Sequence, residues 1–150
     1  MPDILNLIDG LASKDNTYAY QCLKGLETES KCSAKIYSYF DIFATMLDNP
    51  NSYIRTRGII LIAANAKWDI DYKIDEIIDK LLKHITDDKP ITARQCIKVM
   101  PVIAKHKTEL KNDIEKALLY ASLSIYRGSM QPLILKDIKK SLEDIKNLPL

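Results

Sequence analysis

Two histidines are the first residues to consider as acid–base catalysts or metal ligands in this chain of 150 residues. Imidazole titrates near neutral pH and is a common metal ligand. However, His84 and His106 have no cysteine or second histidine at ligand spacing, and no recognisable nucleophile adjoins either of them. We therefore expect both to be surface histidines without a catalytic role.

Three cysteines with no close pair do not form a disulfide framework. Cys22 and Cys96 lie in apolar helical patterns, so we expect them to be buried small hydrophobic residues. Cys32 lies beside Lys31 and Lys35 and is the thiol that we expect to be exposed and reactive. Together, the histidines and cysteines predict no metal site, no cofactor and no enzymatic activity.

Two further features have residue types that can bind a ligand. Arg57 and Arg94 are 37 residues apart, and a guanidinium can bind phosphate or carboxylate through two parallel hydrogen bonds. Trp68 beside Asp69 could stack a flipped nucleobase. The interpretation that we favour is that Trp68 packs as a lid over the end of a helical hairpin while Asp69 caps the next helix.

Lysines are concentrated in the C-terminal part of the chain. They are Lys98, Lys105, Lys107, Lys111, Lys136, Lys139 and Lys140. Phosphate binding needs such charges on a shared surface, but Asp113, Glu115 and Asp137 interleave with them, as on a solvated face. Residues 1–88 carry 10 Lys/Arg and 14 Asp/Glu, while residues 89–150 carry 12 and 6. This asymmetry can steer a charged partner, although the net charge of +2 does not itself indicate a nucleic-acid protein.

The elements that must position these residues are helices with a repeating apolar pattern. A six-position series at i, i+3, i+4, i+7, i+8 and i+11 occurs three times, and such a series places its members on one helix face. The series are Ile36, Tyr39, Phe40, Phe43, Ala44, Leu47; Ile74, Ile77, Ile78, Leu81, Leu82, Ile85; and Ile114, Ala117, Leu118, Ala121, Ser122, Ile125. Their spacing of 38 and 40 residues indicates an internal repeat.

Each series marks the second helix of a hairpin whose leading helix precedes it. The predicted hairpins cover about 16–48, 49–87 and 88–125. In the first, Asp15 or Asn16 is expected to cap the leading helix, at about 16–29, and Ser33 the second helix, at about 34–48.

Prolines and a glycine mark further boundaries. Pro90 suits the first turn of the third leading helix, whereas Pro101 is expected to kink or break that helix near Met100. Gly128 is expected to end the third hairpin in a left-handed conformation. A short helix at 3–12 and a helix at 131–147 are predicted to cap the two ends, which makes residues 1–150 a single domain.

Two helices every 37–40 residues resemble the HEAT repeat of the armadillo/HEAT superfamily, over about residues 16–125. HEAT repeats typically have an Asp in the turn between repeats, then a Pro, then an Arg early in the leading helix. Asp88, Pro90 and Arg94 match this pattern. In the middle repeat Arg57 matches with Asn51 at the acidic position, and an alternative register has Asp48, Pro50 and Arg55. The first repeat has Lys14 and Tyr20 at the corresponding places and lacks the motif.

This resemblance implies an all-α fold, a short right-handed α–α superhelix of about three hairpins with capping helices. It also implies that Arg57, Asp88 and Arg94 make structural contacts between repeats, through an acid or a turn carbonyl of a neighbouring repeat.

The function that the resemblance implies is non-catalytic protein–protein interaction, as a scaffold or adaptor. In HEAT proteins the second helices line a concave face, and Tyr37, Asp41, Lys80, Lys83 and His84 would lie there. We therefore predict binding of a protein partner on that face. The alternative is a nucleic-acid-binding protein related to DNA repair glycosylases, a minority of such families.

The N-terminus lacks the basic segment and long apolar run of a signal peptide. No stretch approaches the ~18 uninterrupted apolar residues of a membrane span. We therefore expect a cytoplasmic protein that does not enter the membrane and is a monomer or a homodimer.

Overall fold

The computed structural model describes residues 3–149, and within that range the chain is helical, without a β-strand. The α-helices are α1 (Ile4–Gly10), α2 (Asn16–Cys32), α3 (Phe40–Met46), α4 (Ser52–Ala64), α5 (Lys73–Leu82), α6 (Pro90–His106), α7 (Lys111–Leu119) and α8 (Gln131–Lys146). Short 3-10 helices cover Ile36–Tyr39, Ala66–Trp68, Lys83–Thr86 and Thr108–Leu110. In this part of the chain, no helix is both long enough and apolar enough to span a bilayer.

The leading helices follow one another in space. Helix α4 contacts α2 on one side and α6 on the other, and α6 also contacts α8. Helix α3 packs against α4, while α7 packs against both α6 and α8. The central place of α4 follows from its sequence: Ile59, Leu61 and Ile62 lie on different sides of the helix and are all fully buried, so neighbouring segments must pack on more than one side.

The second helices bury their predicted faces in the first two segments. Phe40, Phe43 and Leu81 are among the fully buried side chains of a single hydrophobic core. The third series is only partly correct, because α7 ends at Leu119 and Ile125 is 62% exposed. The predicted continuation of this helix to residue 125 is therefore wrong.

The chain leaves α7 early and inserts a different side chain into the core. Tyr126 is 5% exposed, and its hydroxyl donates to the carbonyl oxygen of Asp87 at 2.5 Å. Gly128 does not adopt the predicted left-handed conformation; Tyr72, with φ of 59°, is the residue of 3–149 that has a positive φ. In the third series Ala121 and Ser122 stand where the second series has Leu81 and Leu82, so these core-facing positions offer little apolar area to hold another turn of helix.

Local capping was predicted well for two helices and poorly for one. Asp15 accepts hydrogen bonds from the backbone N–H groups of Thr17 and Tyr18, at 3.1 and 3.2 Å, and starts α2. Asp69 accepts from the N–H groups of Lys73 and Ile74, both at 2.9 Å, and starts α5. Ser33, by contrast, lies at the C-terminal end of α2 rather than at the start of α3.

Pro101 does not break α6, which runs without interruption from Pro90 to His106. A proline in a helix lacks the N–H that would bond to the carbonyl four residues earlier, here that of Ile97. The hydroxyl of Ser141 on α8 donates to this carbonyl at 2.8 Å. The neighbouring helix thus supplies the hydrogen bond that the proline removes.

A glycine allows α3 and α4 to approach closely. A Cβ atom on Gly58 would lie 2.8 Å from Met46 Cβ and 2.9 Å from the carbonyl oxygen of Phe43, which is closer than van der Waals contact permits. No side chain larger than hydrogen fits there without moving α3, which explains a glycine in the middle of a buried helix despite its low helix propensity.

A buried ion pair joins the start of α4 to the turn before α6. Arg55 donates to both carboxylate oxygens of Asp87, at 3.0 and 2.8 Å, and to the carbonyls of Asn49 and Pro50. His84 Nδ1 lies 2.6 Å from Asp87 Oδ2. Burial by itself would raise the pKa of Asp87, but the hydrogen bonds from His84 and Arg55 hold it well below its usual range.

A second buried cluster surrounds Lys107, which was predicted to lie on a solvated lysine face and is instead 3% exposed. Its ammonium lies 2.8 Å from Asp75, 3.2 Å from Asp69 and 3.1 Å from Glu109, and 4.6 Å from the centre of the Tyr72 ring. Burial would lower the pKa of Lys107, but the hydrogen bonds to these carboxylates raise it above its usual range. Lys107 therefore stays charged and ties the segment after α6 to the start of α5.

Candidate functional site

Most of the predicted binding residues on the second helices are bonded to neighbouring segments of the chain. The Tyr37 ring is half-buried against Phe40, and its hydroxyl donates to Asp69 at 2.7 Å and Asp71 at 3.0 Å. Burial raises the pKa of Tyr37, and its hydrogen bonds to the two carboxylates raise it further. Tyr37 is thus part of the network around Asp69.

The charged members of the predicted face form ion pairs across the same distance in sequence. Asp41 lies 3.1 Å from Lys73, and Lys80 lies 2.6 Å from Asp48, each pair being 32 residues apart. Lys83 is exposed.

His84 was expected at the surface, but its side chain is only 15% exposed because it packs against Asp87.

The three residues predicted to link repeats each contact a different part of the chain. Arg57 donates to the carbonyl of Leu11 at 2.8 Å and to the Asn16 side chain at 3.1 Å. Asp88 is 2.9 Å from Arg55.

Arg94 contacts Asp137 on α8 at 2.6 Å. The acid–arginine contact in the middle segment is thus made by Arg55, the residue of the alternative register.

Trp68 lies half-buried at the end of α4, where its Nε1 donates to the carbonyl of Ser30 at 2.7 Å. The Lys67 ammonium lies over its ring at 5.0 Å. Cys22 and Cys96 are buried, as predicted, and Cys32 is exposed. Burial raises the pKa of the Cys96 thiol, which makes it unreactive.

A concave feature with mixed chemistry lies across the leading helices α2, α4 and α6. A cavity of about 490 Å³ adjoins a second of about 260 Å³, and Ile60 lines both, so they form one trough along α4. We call this trough the leading-helix groove. Its lining includes Tyr20, Leu23, Lys24, Glu27 and Lys31 from α2; Tyr53, Arg57, Ile60, Ala63 and Ala64 from α4, with Lys67 just after it; and Ile91, Arg94, Lys98, Val99, Val102 and His106 from α6.

The floor of the groove is apolar and its sides are basic. Tyr20, Tyr53 and Ile91 present 56%, 57% and 74% of their surface at one end. Six lysines and arginines line the groove, and among the described lining residues Glu27 is the acid that opposes them. Elsewhere the chain has 16 Lys/Arg and 19 Asp/Glu, so the groove is basic while the rest of the chain is net acidic.

Some of these cations are neutralised locally and others are not. Lys24 lies 3.2 Å from Glu27, and Arg94 pairs with Asp137. Lys31, Lys67 and Lys98 make no ion pair within residues 3–149.

His106 lies at the far end of the groove, close to the positive charges of lysines. Burial lowers its pKa, and the charges of Lys105 and Lys67 lower it further. The imidazole is therefore neutral at neutral pH, and the groove offers positive charge through its lysines and arginines.

Sequence reasoning missed this groove because it followed only the buried stripe of each helix. The lining positions form a second stripe, for example Tyr53, Arg57 and Ile60 at i, i+4 and i+7 on α4. Ile91, Gln95 and Lys98 repeat that spacing on α6. A search for a mixed apolar and basic stripe beside the core stripe would have found it.

Comparison of the chain with protein-family models, with curated proteins and with solved structures finds no match.

Proposed function

We propose that this chain is a non-catalytic binding module, built as a short right-handed α–α superhelix of HEAT-like hairpins, that binds a partner protein in the leading-helix groove. The superhelical arrangement is supported by side-chain pairs that join the first predicted hairpin to the second at one constant separation: Tyr37–Asp69, Asp41–Lys73 and Asp48–Lys80 are each 32 residues apart. Equal separations are what stacking of similar units would produce.

The observation that carries the binding proposal is the exposure of Tyr53, Ile91 and Tyr20 together at one end of the groove. Large apolar side chains that stay exposed side by side typically mark interaction surfaces. Tyrosine is also enriched among the residues that contribute most to binding at interfaces. The face of the second helices is a weaker candidate, because Tyr37, Asp41 and Lys80 already have partners within the chain.

A nucleic-acid ligand is the second candidate, favoured by the excess of lysine and arginine in the groove. Phosphate groups bind such cations, and tyrosine rings can stack on bases. Against this candidate, the middle of the groove is formed by Ile60, Ala63 and Val99, which offer no hydrogen bond to phosphate or sugar.

The test compares two matched double variants as immobilised bait in a lysate of the native host. Tyr53→Ser with Ile91→Ser alters the groove, while Tyr120→Ser with Ile125→Ser alters a tyrosine and an isoleucine that are also exposed but lie after α7. We expect the first variant to retain at least tenfold less partner protein, measured by quantitative mass spectrometry, and the second to retain as much as the wild type. Both should keep the wild-type melting temperature, since exposed substitutions change stability little. Equal retention by all three proteins would contradict the assignment of the groove.

A further inference from the structure

The shape of the leading-helix groove limits what can lie in it. Helix α4 has 13 residues, so the groove along it extends about 20 Å at the rise of an α-helix. Ile60, on its floor, stays partly exposed, so a groove of this length is open to the side chains along one face of a ligand helix of about four turns.

The chemistry across the groove alternates between basic and apolar. Ile60 and Ala64 of α4 form a strip along its centre, Lys31 of α2 lies on one side, and Lys98 of α6 lies on the other. An apolar strip suits the i, i+3, i+4, i+7 face of an amphipathic helix, a common mode of peptide recognition. Cations on both sides of the strip suit carboxylates that flank such a face.

Three lysines of the groove are available to pair with charges on a ligand. Within residues 3–149, Lys31, Lys67 and Lys98 have no carboxylate within ion-pair distance, and the groove contributes one acid, Glu27, which contacts Lys24. Carboxylates on a ligand helix would neutralise these lysines without displacing any internal ion pair. A basic ligand would place like charges beside these lysines, and a neutral ligand would leave them without a counter-charge.

We propose that the leading-helix groove binds an acidic amphipathic helix of a partner protein, whose apolar face packs on Ile60 and whose carboxylates contact Lys31 and Lys98. The inference rests on the proposed function and names the chemical class of its partner. About four helical turns would span the length of the groove.

The test begins with a library of displayed random 16-residue peptides selected for binding to the full chain. We expect enriched sequences with apolar residues at i, i+3 or i+4, and i+7, flanked by Asp and Glu. Affinities of synthetic copies are then measured by fluorescence anisotropy against two variants of equal charge change. Lys31→Glu with Lys98→Glu reverses two groove lysines, while Lys80→Glu with Lys83→Glu reverses two lysines on the second-helix side.

The groove variant should bind the enriched peptide at least tenfold more weakly than wild type, and the control variant should bind within twofold. Enrichment of basic or uncharged peptides, no enrichment, or equal loss in both variants would overturn the inference. So would tighter binding of a labelled 20-nucleotide single strand than of any peptide, with affinity falling steeply as salt rises. In each of these cases, loss of lysate retention on substitution of Tyr53 and Ile91 would still support the groove as the binding surface.

Discussion

At the scale of single residues, we expect the buried charged side chains to affect the free energy of unfolding most. The Asp87 side chain is 1% exposed, and its two oxygens are shared among Arg55, His84 and the N–H of Lys89. A carboxylate in such a position is tolerated only because donors surround both of its oxygens. The interaction of one arginine with one acid therefore holds the turn between α5 and α6 against α4.

Arg55→Ala should be strongly destabilising, because it leaves Asp87 buried with less compensation. Removing one partner of a buried ion pair costs about 3–5 kcal/mol of unfolding free energy. Lys80→Ala, which breaks the exposed pair with Asp48, should cost about 1 kcal/mol or less. Urea unfolding followed by far-UV circular dichroism measures both. A midpoint for Arg55→Ala no lower than that of Lys80→Ala would contradict the structural role of the pair.

At the scale of elements, α6 connects the earlier helices of the chain to the C-terminal helix. It contacts α4 and α8 and carries Pro101 within its length. The hydroxyl of Ser141 occupies the carbonyl of Ile97 that the proline leaves without its helical partner. An irregularity within one helix has thus become a specific contact with another.

Ser141→Ala should cost about 1–3 kcal/mol, because it leaves the buried carbonyl of Ile97 without a donor. In a Pro101→Ala background the same change should cost measurably less, since the substituted alanine has an N–H that can bond to the carbonyl of Ile97 within the helix. A double-mutant cycle on unfolding free energies isolates this coupling, which we expect to be about 0.5 kcal/mol or more.

Thr28→Ala is the matched control for this cycle. Its exposed hydroxyl donates to the carbonyl of Lys24 in α2, where no proline has removed a hydrogen bond. Its cost should be small and the same in both backgrounds. Equal cost of Ser141→Ala with and without Pro101 would show that the hydroxyl does not compensate for the proline.

At the scale of the whole molecule, side-chain contacts join segments that are distant in sequence. Tyr37 of the first predicted hairpin and Lys107 of the third both contact Asp69 of the second, so each predicted hairpin is tied to the next. Buried residues from Leu7 to Ile145 belong to one continuous core. Short arrays coupled in this way unfold together rather than unit by unit.

Urea unfolding should therefore give one transition whether it is followed by circular dichroism or by fluorescence of Trp68. Ile138→Ala in α8 removes buried methyl and methylene groups and should cost about 2–5 kcal/mol. Although Trp68 lies after α4, its transition should shift by as much as the circular dichroism signal does. A Trp68 transition that stays at the wild-type midpoint would show that the C-terminal helices unfold independently.

The features that the amino-acid sequence determined are those that depend on neighbours within about one helical turn. Apolar spacing predicted the α-helices because one face must be buried, and Asp15 and Asp69 were predicted as helix caps because a cap bonds to N–H groups a few residues ahead. Pro90 was likewise placed correctly at a helix start. The burial of Cys22 and Cys96 followed from the same local patterns.

The tertiary structure decided which segments the side chains reach. Arg55 and Arg57 are two positions apart on α4, about 200° around the helix, so they face opposite neighbours. Arg55 reaches Asp87 ahead of it in the chain, and Arg57 reaches the Leu11 carbonyl behind it. Both arginines are visible in the sequence, but their partners depend on how the helices pack. The end of α7 likewise depends on packing, because Tyr126 bonds to the distant Asp87 backbone. So do the hydrogen bond from Ser141 that compensates for Pro101, and the leading-helix groove, because each is formed by helices that are distant in sequence.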